Sequence, residues 1–151
     1  IKERPVEIGG NNRGPWVRLY MRGRDGSDQL WCAGFSCLIA AQAARDLGSK
    51  MPFPRQVSVD ALVKDAKASG RFVRESEVGD PIARKSRIPP GSLFVVRRTS
   101  TDWTHVGIVL ALTTTTFDTL EGNTGGDGGT DGANARQGNR SYPKKDFLRL
   151  I

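Results

Sequence analysis

Gln29-Leu30-Trp31-Cys32-Ala33-Gly34-Phe35-Ser36-Cys37 opens the most apolar helix-like run in the chain, Leu30 to Leu47. Leu30, Ala33, Gly34, Cys37, Ala41, Ala44 and Leu47 fall on one helical stripe, and Trp31, Phe35 and Leu38 line a neighbouring face. A run that stays apolar nearly all round until Arg45 and Asp46 belongs to a central helix rather than a surface one. Asp28 is the expected N-cap and Gly48 the expected stop. Cys32 is then in the first turn, where unpaired backbone N–H groups and the positive end of the helix dipole favour a thiolate.

The chain changes character on either side of this helix. Residues 1–28 are rich in Gly, Arg, Asn and Asp and read as turns, with a short helix around Trp16 to Met21. After Pro52 and Pro54, Ser58 caps a second, amphipathic helix from Val59 to about Ser69, stopped by Gly70. Residues 71–90 look irregular, with Asp80-Pro81 and Pro89-Pro90 as turn signals. From Gly91 the apolar spacing switches to strands: Leu93–Val96, Thr104–Leu112 and Phe117–Glu121, with Thr113–Thr116 as a hairpin turn. Phe147 to Ile151 reads as a last strand closing the sheet. Residues 122–141 hold seven glycines with Asp127 and Asp131 and read as a long flexible loop. Helices first and strands second indicate an α+β fold, an antiparallel sheet packed on the central helix.

Its 151 residues are enough for one domain with a sizeable core. No apolar run reaches the roughly 20 residues that span a bilayer, so no membrane insertion is expected. The start, Ile1-Lys2-Glu3-Arg4-Pro5, has no apolar signal region and no Met, so the chain does not reveal its own compartment. A net charge of +7 and a pI near 9.9 suit an anionic partner. The basic residues are scattered, with few aromatics among them and no nucleic-acid motif, so no nucleic-acid partner is expected. Cys32 and Cys37 on one helix are rotated by roughly 140° and separated by roughly 7.5 Å of rise. That geometry does not suit a disulfide, and the pair reads as two free thiols. Neither a metal-ligand cluster nor a redox motif accompanies them.

A thiol nucleophile needs a base within hydrogen-bond reach and a third group to orient that base. His105 is the chain's single histidine, so Cys32 has one possible imidazole partner. The third group is sought on the next strand, where Leu120-Glu121-Gly122-Asn123 offers two candidates. Alternation puts Phe117, Thr119 and Glu121 on one face, making Glu121 the orienter. Asn123, beyond a glycine, either completes the triad or polarises the substrate. Trp31 and Trp103 are the candidate substrate-binding aromatics. Each residue alone also fits a structural role: a buried core cysteine (the reading for Cys37), a structural histidine, turn residues, a packed tryptophan. Their joint order points to chemistry.

That order, Trp31-Cys32-Ala33-Gly34-Phe35, Pro90-Gly91-Ser92-Leu93-Phe94, His105-Val106-Gly107-Ile108-Val109 and Leu120-Glu121-Gly122-Asn123, resembles the CHAP family. These are the cysteine, histidine-dependent amidohydrolase/peptidase domains among the papain-like peptidoglycan hydrolases. The resemblance runs from about Asn11 to Asn123, with a weaker match in the final strand. It implies Cys32 as nucleophile, His105 as general base and then acid, Glu121 as orienter and Asn123 as a further catalytic or binding residue. It also implies an oxyanion hole that includes the Cys32 backbone N–H.

The implied setting is the cell wall or periplasm, reached by secretion or phage delivery, whether as lysin, autolysin or antibacterial effector. The expectation is a single catalytic domain over residues 1–151, monomeric, whether or not excised from a longer chain. Peptidoglycan is its partner, with room for a targeting domain or an immunity protein. No cofactor is expected. Some family members bind calcium through acidic residues before the nucleophile. Asp25 and Asp28 do not match that spacing, and Asp127 and Asp131 read as part of a flexible rim, so no metal site is expected. Two other readings stay open. One is a non-catalytic basic module binding a wall polymer or nucleic acid, and the other is hydrolysis of a small amide or a protein isopeptide by the same chemistry.

Overall fold

The computed structural model describes residues 5–125 and 132–151. Helices α1 (Pro15–Tyr20), α2 (Cys32–Asp46) and α3 (Val59–Ala68) come first, then the short strand β1 (Phe72–Val73), a 3-10 turn (Glu75–Val78) and helix α4 (Pro81–Arg87). The rest is β2 (Leu93–Arg97), β3 (Trp103–Leu112), β4 (Thr116–Thr124), β5 (Asn134–Ser141) and β6 (Lys145–Leu148). The strands form one antiparallel sheet in the order β1-β6-β2-β3-β4-β5. The expected α+β architecture, helices against an antiparallel sheet, is present.

Strand alternation splits the core in two. On one face Leu93, Val95, Val106, Ile108 and Leu148 pack with Cys32, Ala33 and Cys37 of α2 and Leu62, Val63 and Ala66 of α3. On the other, Phe94, Val109, Phe117 and Phe147 meet Val73, Val78, Ile88 and Tyr142. Full burial of a side chain such as Leu62 or Phe94 contributes about 2 kcal/mol. A third cluster joins Val17, Tyr20 and Met21 to Trp31 and Phe35. There α1 and α2 approach so closely that a Cβ on Gly34 would lie 2.4 Å from the Tyr20 carbonyl oxygen. Glycine at this point lets the start of α2 seat against the end of α1.

Several local expectations hold. Ser58 caps α3, accepting from the Ala61 N–H, and Gly48 and Gly70 follow α2 and α3 in left-handed backbone. Thr113 closes the β3–β4 hairpin through bonds to Thr116. Others are corrected. α2 starts at Cys32 rather than near Leu30, with Trp31 at the cap position and no side-chain cap. Asp28 is spent in a preceding turn, in which the Gln29 N–H bonds the Gly26 carbonyl. Residues 71–90 are not irregular: Asp80 caps α4 through the Ile82 and Ala83 N–H groups at 2.9 Å, with Pro81 opening the helix. α4 buries none of its residues, so no apolar period announces it.

Residues 122–141 are not one loop. β4 continues to Thr124, and β5 is a polar edge strand whose side chains mostly face water. Strand alternation is invisible where neither face is apolar. Asp127 and Asp131 lie outside the described residues. The last strand ends at Leu148 and sits inside the sheet between β1 and β2, rather than closing it.

Candidate active site

Cys32, the first residue of α2, belongs to a turn whose leading N–H groups receive no side-chain cap. Those donors and the helix dipole are therefore available to a negative charge on or near Sγ. His105 lies near the start of β3, fully buried, and Glu121 lies toward the end of β4, 2% exposed. The β3–β4 register pairs Ile108 with Leu120 and Val109 with Thr119. Gly107 thus falls beside Glu121, and a Cβ there would lie 2.8 Å from Glu121 Cγ and 2.6 Å from the Phe94 ring. The missing side chain leaves room for the carboxylate to reach back to His105.

His105 Nε2 donates to Glu121 Oε2 at 2.8 Å. That bond fixes the ring and assigns the proton of neutral imidazole to Nε2, so Nδ1 is left as the free acceptor. Nδ1 is buried without a hydrogen-bond partner at ordinary distances and angles. The Cys32 thiol is nevertheless near enough to act on the ring. Nδ1 is the nitrogen left to serve it. Burial pushes the imidazole down, but its interactions with Cys32 and Glu121 outweigh this and raise it from the ordinary 6.5 to about 9. Glu121 is pushed up by burial, yet bonds from His105, Arg140 and Thr119 bring it from 4.5 down to about 2.

The two shifts set a pH window by linkage. The depressed carboxyl stabilises the fold fully above pH 4.5, and that contribution is lost as pH falls through about 2. The raised imidazole stabilises it fully below pH 6.5, and that contribution is lost as pH rises through about 9. Thermal melts across pH should show this pair's stabilisation on a plateau between those bounds. In Glu121→Gln the alkaline decline should shrink. An unchanged alkaline slope in that variant would contradict the pairing.

Two residues of this constellation escaped the sequence reading. Thr119 Oγ1 donates to Glu121 Oε1 at 2.7 Å, and Arg140 grips both carboxylate oxygens, Nε to Oε1 at 2.9 Å and Nη2 to Oε2 at 2.5 Å. Thr119 shares the face of Glu121 by alternation and was within reach of that argument. Arg140 was not, because β5 has no apolar face to mark it as a strand. Register explains its placement. Arg140 pairs with Phe117 and Gly138 with Thr119, so Arg140 extends past a position that has no side chain to block it.

A cleft of about 450 Å³ opens onto Cys32. Trp103 lines it, with its Nε1 donating to Asp146 at 2.9 Å. His105 does not line the cleft, whereas Cys32 does. Trp31 does not line it either. That ring is fully buried, stacks on Tyr20 at 5.4 Å between centroids and donates to Glu7 at 2.9 Å. It packs the core rather than offering a face to a ligand.

Asn123 is fully buried in left-handed backbone (φ 56°), and neither of its amide atoms has a hydrogen-bond partner among the described residues. It makes no side-chain bond to Cys32, His105 or Glu121. The β4–β5 register shifts between Glu121 and Thr124, and such bulges re-aim side chains. Cys37 is a buried free thiol pushed up by desolvation, in keeping with a core residue. Two arginines and three aspartates line the cleft, so the chain's positive excess is not concentrated there. Among the described residues no group of three His, Cys, Asp or Glu could hold a metal ion, and no helix is long and apolar enough to cross a membrane. In comparisons with known proteins, the chain matches no family model, no curated protein and no solved structure.

Proposed function

We propose that this protein is a cysteine amidohydrolase/peptidase of papain-like, CHAP-type organisation that cleaves an amide bond in peptidoglycan. The observation that carries the reading is the buried His105, held by Glu121 through Nε2 and acted on by the Cys32 thiol. A packing histidine has no need of an ionised carboxylate on one side and a thiol at a helix start on the other. The net charge of +7 supports attraction to an anionic wall.

The reaction follows from the proton positions. His105 Nδ1 takes the Cys32 proton, and Sγ attacks the amide carbonyl carbon. The oxyanion is held by the backbone N–H groups that open α2. The imidazolium, steadied by Glu121, returns its proton to the departing amine as the C–N bond breaks, leaving a thioester. Water then attacks the thioester while Nδ1 accepts its proton. The tetrahedral intermediate collapses to carboxylate product and free thiol. General acid–base assistance of this kind contributes roughly 10²–10⁴-fold.

The test is digestion of purified peptidoglycan of several chemotypes, with soluble products weighed by mass spectrometry. Fragments released by wild type establish the substrate class, and their masses distinguish the sugar–peptide amide from bonds within the stem or cross-bridge. If the protein binds every wall and cuts none, the enzyme reading of this substrate fails and a wall-binding module takes its place.

A further inference from the structure

We propose that Arg140 is a positioning residue that aims the Glu121 carboxylate at His105 and cancels its charge, so that the carboxylate orients the imidazole as a near-neutral group would. The proposal rests on the reading of Cys32, His105 and Glu121 as the reacting set. The first ground is geometry. Two parallel N–H···O bonds, Nε to Oε1 and Nη2 to Oε2, fix the plane of the carboxylate. Oε2 is the oxygen that meets His105 Nε2, so the guanidinium sets the direction from which the histidine is held. Gly138 makes this possible. A Cβ there would lie 3.1 Å from Thr119 Oγ1 and 3.4 Å from Glu121 Oε1, in the space between the two strands' side chains.

The second ground is charge. Before proton transfer the set comprises a neutral thiol, a neutral imidazole, a carboxylate and a guanidinium. Afterwards it comprises thiolate, imidazolium, carboxylate and guanidinium. With Arg140 the sum is zero in both states. Without it, a buried carboxylate stands uncompensated beside the imidazolium and holds its proton more tightly, which opposes delivery to the leaving amine. Lys145 of β6 also faces the pair, and its charge is felt by both Arg140 and Glu121. Its ammonium donates to the Pro143 carbonyl at 2.8 Å, so it does not aim the carboxylate. His105 from β3 and Thr119 from β4 also act on Glu121, and Cys32 from α2 acts on His105.

The experiment follows Cys32 alkylation by iodoacetamide as a function of pH, together with kcat on peptidoglycan and thermal melts, in full-length variants. The upper inflection of the alkylation profile reports loss of the His105 proton. It should lie highest in Arg140→Met, by about one pH unit over wild type. Below wild type should come the double variant Glu121→Gln/Arg140→Met, and lowest Glu121→Gln, which removes the carboxylate charge and keeps the guanidinium beside the imidazole. The double variant should turn over faster than Glu121→Gln. Arg140→Lys keeps the charge but not the fork. Its inflection should stay near that of wild type while kcat falls roughly tenfold.

A merely structural arginine would lower the melting temperature and leave the order of inflections unmoved. That result overturns the proposal, as does full kcat in Arg140→Lys, which decides the matter even if Arg140→Met fails to fold. If wild-type Cys32 shows no reactivity below the ordinary thiol range, the underlying thiol reading falls as well. The two failures are therefore separable.

Discussion

Cys32→Ala should release no fragments from peptidoglycan that the wild type solubilises, a loss of at least about 10⁴-fold in turnover. The nucleophile is not replaceable by a neighbour. Cys37, the chain's other thiol, is fully buried in the core and does not line the cleft. Water in the vacated space would lack covalent capture of the acyl group. The substitution removes one sulfur from a buried position at the edge of the cleft, at a stability cost of about 1 kcal/mol. For a domain of this size that lowers the melting temperature by roughly 2–4 °C, so lost activity and a folded protein are read from the same sample. Cys37→Ala is the matched control: it should melt lower, because Cys37 lies in the core, yet still digest walls. Equal digestion by Cys32→Ala and wild type would sink the thiol mechanism.

Glu121→Ala should be the most damaging change that leaves the cysteine and the histidine in place. Three hydrogen-bonding partners converge on this carboxylate, His105, Thr119 and Arg140. Its removal frees the His105 ring to rotate and to adopt the tautomer with Nδ1 protonated, which cannot accept the thiol proton. Loss of an orienting carboxylate of this kind lowers kcat by about 10³–10⁴-fold. It also removes the Glu121 charge from beside the Arg140 guanidinium, whose side chain is only 17% exposed. Breaking a buried pair on one side costs about 3 kcal/mol, and the partial exposure of Arg140 argues for the lower end of the measured range. Wall digestion and thermal melts should therefore both fall, the melting temperature by on the order of 10 °C. A variant that melts like wild type and keeps more than a tenth of its activity would show that Glu121 neither anchors His105 nor balances Arg140.

The parts of this molecule that could be read in advance are those where apolar periodicity is strong. Leu30 to Leu47 announced α2, and Leu93, Val95, Val106 and Ile108 announced the central strands because they face those helices. The site was legible for a different reason, scarcity. With a single histidine and two cysteines differently placed on one helix, few pairings were available. What failed to show lacks an apolar face. α4 rests on its Asp80 cap and the bonds of Arg84 to the Val78 and Gly79 carbonyls at 2.9 Å. β5 is an edge strand that reads Asn134-Ala135-Arg136-Gln137-Gly138-Asn139-Arg140-Ser141. Because β5 was invisible, so was the guanidinium it brings to Glu121. Trp31 misled for the opposite reason. Its place beside Cys32 in sequence suggests a wall of the cleft, but the ring turns inward, onto Tyr20 and Glu7.

The most direct test of the thiol–imidazole pair is the rate of Cys32 alkylation by iodoacetamide between pH 5 and pH 10, in wild type and in His105→Ala. Cys37 is followed in the same digest by mass spectrometry. The pairing predicts a rate of Cys32 labelling that depends on His105, with reactivity already present below about pH 8. That low-pH reactivity should vanish in His105→Ala, and Cys37 should stay unlabelled while the protein is folded. Labelling of Cys32 only above about pH 8, with the same profile whether or not His105 is present, would contradict it.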